Sequence, residues 1–133
     1  MMILPDTSCW IEFFRPRGNE AVRSQMLGWL TADALAICGP IRTEILRGAR
    51  KRETSRIIDA FAALPHLDTV DADWLQVEQR ARALADGGHN APLLDLLIAV
   101  VADRHGAVLA HRDAHFQTIG QVLELRLHNF LEL

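Results

Sequence analysis

Four acidic residues stand where carboxylates could be brought together. Asp6 follows a short apolar run, Met1 to Leu4, and Glu44 comes early in a helical segment after a second run, Leu35 to Cys38. Asp95 interrupts an otherwise apolar stretch from Leu93 to Ala102, and Asp113 follows a third run, Ala107 to His111. Each acid taken alone has an ordinary use. Asp6 beside Thr7 and Ser8 suits a turn or a cap, Glu44 suits a solvated helix face, and Asp95 would offset a helix dipole, worth roughly 0.3–1 kcal/mol. Taken together they would do something else. Two unit charges ~4 Å apart repel by about 4 kcal/mol at an effective dielectric near 20, and several such pairs rival the roughly 5–15 kcal/mol stability of a domain. Acids so gathered must take up protons or bind a cation. An oxygen donor set without paired His or Cys favours Mg²⁺ or Mn²⁺ over zinc, and such ions serve phosphodiester hydrolysis by activating water and stabilising the leaving oxygen.

The elements that must position these acids are legible as periodicities. The stretch His89 to Phe116 predicts a buried helix with Asn90 as cap and Pro92 in its first turn, ended by Gly106, then a short buried strand. It is too short and too apolar all round to be a membrane span or a surface helix. At the other end of the chain, a first strand runs into a helix capped by Thr7 or Ser8, and Asn19 caps a second helix with Val22, Met26, Trp29 and Leu30 on one face. Further helices are expected from Pro40, from Glu53 to Leu64, and after a cap at Asp71 or Asp73. The last of these has Trp74, Val77, Ala81 and Leu84 as its core stripe. A helix begun near Asp113 precedes the alternating LELRLHNF, read as a half-buried edge strand. The order predicts an α/β sandwich, a small and mostly parallel sheet covered by helices. In such sheets, sites form beyond the carboxyl ends of the strands. Asp6, Glu44 and Asp113 each follow one, and Asp95 heads the helix feeding the third. If the sheet brings these ends together, the four carboxylates meet at one edge.

Composition narrows the class. The chain has 133 residues, enough for one domain with a real core. Half of them are hydrophobic and 23% are charged, which argues against disorder. A formal charge of −3 does not indicate a globally basic nucleic-acid binder. The basic residues are arginines apart from Lys51, and they cluster between Arg42 and Arg56, as either a solvated face or a contact for phosphate. Cys9 and Cys38 are too few for a zinc framework and are expected to be reduced and partly buried. The N-terminus lacks the pattern of a signal peptide, so a cytoplasmic location is expected. His66, His89, His105 and His128 are scattered and read as surface or cap residues.

The motifs resemble those of PIN-domain nucleases. Asp6-Thr7-Ser8 after an apolar strand is similar to their opening motif, and Glu44 with Ile45, Leu46 and Gly48 resembles their second. DLLIAVVA from Asp95 resembles their buried-acid helix, and LAHRDAHF their final strand-acid-Phe motif. With the order, spacing and length, the resemblance is to the VapC-type toxins, the ribonuclease halves of toxin–antitoxin pairs. It implies a single PIN-like nuclease domain over residues 1–133, with Asp6, Glu44, Asp95 and Asp113 as an acidic quartet holding Mg²⁺ or Mn²⁺. Ser8 would steady Asp6 or bound water. The resemblance implies RNA as the substrate, cleaved by metal-activated water to leave 5′-phosphate and 3′-hydroxyl ends. It implies a homodimer, and a VapB-like antitoxin inserting a peptide at the site, with no part for a membrane. Arg42, Arg47, Arg50 and His115 are the candidate contacts to substrate or antitoxin. Two residues depart from the family pattern: His111 stands where Thr or Ser is common, and His115 where another acid is frequent, which puts a second metal site in question.

Two other classes compete with the enzyme reading. An interaction protein with a vestigial site would use its apolar helices and arginines for a partner and bind no Mg²⁺ or Mn²⁺. A receiver-like signalling domain also grips Mg²⁺ with acids at strand ends, but it needs a lysine after a late strand. The lone Lys51 lies in a helical basic stretch.

Overall fold

The computed structural model describes residues 1–131. Its strands are β1 (Ile3–Pro5), β2 (Ile37–Cys38), β3 (His66–Leu67), β4 (Val108–His111) and β5 (Leu127–Asn129). The helices between them are α1 (Thr7–Phe14), α2 (Glu20–Thr31), α3 (Gly39–Gly48), α4 (Thr54–Ala62), α5 (Asp71–Asp86), α6 (Leu93–Arg104) and α7 (Ala114–Val122). Every strand pairing is parallel: β1 with β4, β4 with β5, and β2 with β3. A parallel bridge between Ile3 and Leu35 joins the two pieces, through Ile3 N–H to the Ala34 carbonyl at 2.7 Å and Ala36 N–H to the Ile3 carbonyl at 2.9 Å. The spatial order is therefore β3-β2-β1-β4-β5, with the winding reversed between β1 and β4. This is the α/β sandwich expected from the sequence, since parallel neighbours need helical crossovers.

Helix α6 is the centre of the core. Leu96 through Ala102 are each at most 5% exposed, so this helix is apolar on all sides because all its sides are covered. It stops at Gly106, whose φ of 68° belongs to the left-handed region that glycine tolerates, and Ala107 N–H closes the end on the Ala102 carbonyl at 2.9 Å. Gly18 answers a different need, since a Cβ there would stand 1.8 Å from the Glu12 carbonyl oxygen. That contact lets the turn after α1 fold back onto it.

Several local expectations need correction. Helix α1 is capped by Asp6 rather than by Thr7 or Ser8, with Cys9 N–H donating to Asp6 Oδ1 at 3.2 Å. Asn90 does not cap α6: its side chain accepts from Ala91 N–H, and Pro92 holds the cap position without a side-chain bond. The first turn of α6 is less covered than its sequence suggests, with Leu93 60% exposed. At the start of α5 the cap position belongs to Val70, whose N–H donates to Asp73 Oδ2 at 2.9 Å. Trp74 lies outside the core and is exposed, as is Leu30 on α2, because these helices bury a narrower stripe than their apolar pattern offered. Asn19 does cap α2, accepting from Val22 N–H at 3.1 Å. Both cysteines are free and buried.

Candidate metal centre

The site forms where the winding reverses, at the carboxyl ends of β1 and β4. Pro5 pairs with Ala110, and Asp6 N–H donates to the Ala110 carbonyl at 2.9 Å, so Asp6 leaves the sheet directly beside the end of β4. Asp113 follows two residues after β4 and caps α7, accepting from His115 N–H at 2.8 Å. Asp95 projects from the first turn of α6, and Glu44 lies half-buried on α3.

Asp6 is 3% exposed. Burial pushes its carboxyl up to about 6, against the lowering effect of hydrogen bonds from Ser8 and the Cys9 N–H, and the charge of Asp113 adds to the rise. Burial likewise raises Asp95, with Asp113 and Glu44 pushing the same way and His115 opposing them. The four acids thus feel one another in sequence across the site: Asp6 with Asp113, Asp113 with Asp95, and Asp95 with Glu44. Asp95, Asp113 and His115 offer ligand atoms all within 4.8 Å of one another. Among the described ion pairs, the partner of both acids is the His115 imidazole, its Nδ1 3.0 Å from Asp95 Oδ2 and 3.3 Å from Asp113 Oδ1.

Ser8 is a junction. Its hydroxyl donates to Asp6 Oδ1 at 2.5 Å and accepts from Arg112 N–H at 2.9 Å, tying the end of β1 to the loop that carries Asp113. His111 is fully buried and takes Asp113 N–H on its Nδ1 at 3.3 Å. Burial lowers its pKa, and its Nδ1 serves as an acceptor. Sequence reasoning missed Glu12. This acid is 7% exposed and accepts from Arg15 Nη2 at 2.7 and 2.8 Å, from Asn19 N–H at 2.6 Å and from Arg112 Nη1 at 3.1 Å. It thereby clamps α1 to the residue preceding Asp113. A signal existed, since Glu12 is the one charge in the apolar run CWIEFF, but its partner lies 100 residues away.

Arginines of the basic segment border the site unevenly. Arg50 and Arg52 line a groove of about 490 Å³ with Glu44, Thr7, Ile11 and Ile45. Arg47 is exposed and Arg42 half-buried on α3, and Arg50 also stands 3.9 Å from Glu53.

The donor set fits a small hard cation. Carboxylates gathered in a partly buried space, two of them raised by burial and mutual repulsion, are stabilised by a divalent ion with oxygen preference. Asp6, Glu44, Asp95 and Asp113 are the residues that could hold it.

Comparison with known proteins shows the family. The PIN-domain family model matches residues 3–122. The chain is 38% identical over 133 residues to ribonuclease VapC11 of Mycobacterium tuberculosis, covering 97% of this chain and 99% of that one. It stands in the same relation to the VapC ribonuclease Mb1587 of Mycobacterium bovis. Its fold superposes with a TM-score of 0.79 on a chain of the VapBC2 complex from Rickettsia felis bound to a promoter DNA fragment, at 18% identity over 98% of this chain and 99% of that chain. A strand order that places acids at the β1–β4 reversal, and sequence likeness along the whole length, place the chain in the PIN-domain family, among the VapC ribonucleases.

Proposed function

We propose that the chain is a divalent-metal-dependent endoribonuclease and the toxin of a toxin–antitoxin pair, with Asp6, Glu44, Asp95 and Asp113 as its metal-holding acids. The observation that carries this reading is the approach of Asp95 and Asp113 at the sheet reversal, with Asp6 and Glu44 in their field. Its relatives bear ribonuclease names. A bound Mg²⁺ or Mn²⁺ supplies Lewis acidity, lowering the pKa of water and offsetting charge on a phosphodiester. The chain's own residues hold and orient. Ser8 fixes the Asp6 carboxylate, the His115 N–H fixes Asp113, and the Glu12–Arg112 pair fixes the loop that carries Asp113. Arg50, which shares the groove with Glu44, and His115, beside Asp95 and Asp113, are offered as contacts for the RNA backbone or for an inhibitor, with Arg42 and Arg47 on α3.

The groove beside Glu44, apolar at Ile11 and Ile45 with arginines at its rim, suits a peptide of a VapB-like antitoxin that delivers a basic side chain to the acids. The likeness to a chain of a VapBC complex supports such a partner. Exposed Trp74, Leu75 and Leu93 offer apolar surface that a second copy could cover in a homodimer. No described helix is long and apolar enough to cross a membrane.

The test is cleavage of total RNA with added Mn²⁺ by the wild type and Asp95→Asn, with the new ends mapped. Loss of cleavage in the variant, and 5′-phosphate ends from the wild type, support the reading. Equal activity in both rejects it. Absence of Mg²⁺ or Mn²⁺ binding at millimolar concentration would favour an interaction protein that keeps the fold without the chemistry.

A further inference from the structure

We infer that His115 is itself a metal ligand, and that the site is consequently selective for a first-row transition dication such as Mn²⁺ over Mg²⁺. The inference rests on the metal-centre reading above and adds a nitrogen donor to it.

The geometry comes from the start of α7. His115 N–H donates to Asp113 Oδ1 at 2.8 Å, and this cap turns the ring of the same residue back over the carboxylate it caps. Nδ1 then stands 3.3 Å from Asp113 Oδ1 and 3.0 Å from Asp95 Oδ2. At the ~2.1 Å bond length of a small divalent ion, neighbouring ligands of an octahedron stand about 3 Å apart. The imidazole nitrogen therefore already stands at about the spacing of an adjacent ligand from each carboxylate oxygen, and all three atoms, each from a different side chain, lie within 4.8 Å of one another. A purely structural salt link would bring the same atoms close, but it would also tie up two of the acids gathered in the site. Coordination uses all three.

The ring is reachable, since the His115 side chain is 54% exposed. An ion entering from solvent meets it at the outer edge, with the more buried Asp95 side chain, 15% exposed, behind. Neutral imidazole is a softer donor than carboxylate or water, and it adds more to the binding of transition dications than to that of Mg²⁺. His115 would then decide which ion the acids receive.

The experiment titrates the metal-free chain calorimetrically with Mn²⁺ and with Mg²⁺, in the wild type, His115→Ala and Asp95→Asn. The Mn²⁺-loaded wild type is also read by pulsed electron paramagnetic resonance for nitrogen coupling. The expected result is a directly bonded imidazole nitrogen on Mn²⁺ in the wild type, and a Mn²⁺ affinity roughly ten- to hundredfold lower in His115→Ala. Mg²⁺ binding should change little in that variant. The spectroscopic readout needs no variant to fold. If Mn²⁺ binds and Asp95→Asn abolishes binding, but no nitrogen coupling is seen and His115→Ala binds as the wild type does, the ligand assignment is overturned and the metal-centre reading stands. No saturable Mn²⁺ binding to the wild type would overturn both.

Discussion

Two groups of acids in this molecule each hold a buried carboxylate and are opposite in character. Between β3, α5 and α6, Asp73 is 1% exposed and meets Arg104, whose Nε lies 2.8 Å from its Oδ1. Arg104 also bridges to Asp68 at 2.8 Å, His105 joins Asp68 at 3.1 Å, and Arg80 holds Asp103 at 2.6 Å. At the sheet reversal, Asp6 is 3% exposed, and its bonds come from a hydroxyl and a backbone N–H rather than from a guanidinium. Burial works to raise both carboxyls. In Asp73 the bonds from Arg104 and Val70 N–H more than offset it, and the carboxyl ends below its ordinary value. In Asp6 nothing does, and it ends near 6. The stapling acid Asp73 is neutralised within the chain, whereas Asp6 is left without a guanidinium partner, as a carboxylate kept for a ligand would be.

Breaking a member of each group should therefore give opposite phenotypes. Asp95→Asn is expected to lower RNA cleavage by more than about 100-fold, while the metal-free variant melts no lower than the wild type, because a like-charge repulsion has been removed. Parallel cleavage assays and thermal melts check this. Asp73→Ala should do the reverse. It removes an acid that both pairs with Arg104 and accepts from Val70 N–H, and should cost about 2–3 kcal/mol in denaturant titrations, with little change in cleavage per folded molecule.

Acidity sharpens the contrast. The Asp6 carboxyl is raised from its ordinary 3.8 to about 6, so its contribution to stability is fully present below about 4 and is lost as pH rises through 6. Asp73 and Glu12 are lowered from 3.8 and 4.5, so their contribution is present above those values and is lost as pH falls through the lowered ones. Metal-free protein should gain about 1–2 kcal/mol between pH 7 and 5 from Asp6, then lose stability below pH ~4. Melts across that range should show a maximum on the acid side of neutrality, and Asp6→Asn should flatten its alkaline limb. The smallest effect is expected at the edge of the stapled group. Arg80→Ala removes a pair whose aspartate is half exposed, and should cost under about 1 kcal/mol.

These two groups also show what a sequence can and cannot disclose. Asp6, Asp95 and Asp113 were visible because each sits at a fixed place in a local pattern, after a strand or in the first turn of an apolar helix, and strand ends gather in a parallel sheet. The staple between Asp73 and Arg104 spans 31 residues, and the clamp between Glu12 and Arg112 spans 100. No periodicity encodes such pairings. Trp74 was misplaced for a related reason: an apolar stripe tells which face of a helix could be buried, while its neighbours set how wide a strip they cover. Asp6 as the cap of α1 escaped notice because Thr7 and Ser8 are equally good caps by type, and only the exit angle of β1 decides among them.

Thermal unfolding of the metal-free protein with and without added Mn²⁺ near pH 7, in the wild type and Asp95→Asn, probes the uncompensated charge itself. An ion that binds only the folded state must raise the melting temperature as its concentration exceeds its dissociation constant. The expected result is a concentration-dependent rise in the wild type that is largely lost in Asp95→Asn. A wild type indifferent to Mn²⁺, or a variant stabilised just as much, would contradict the reading of these carboxylates as a cation site.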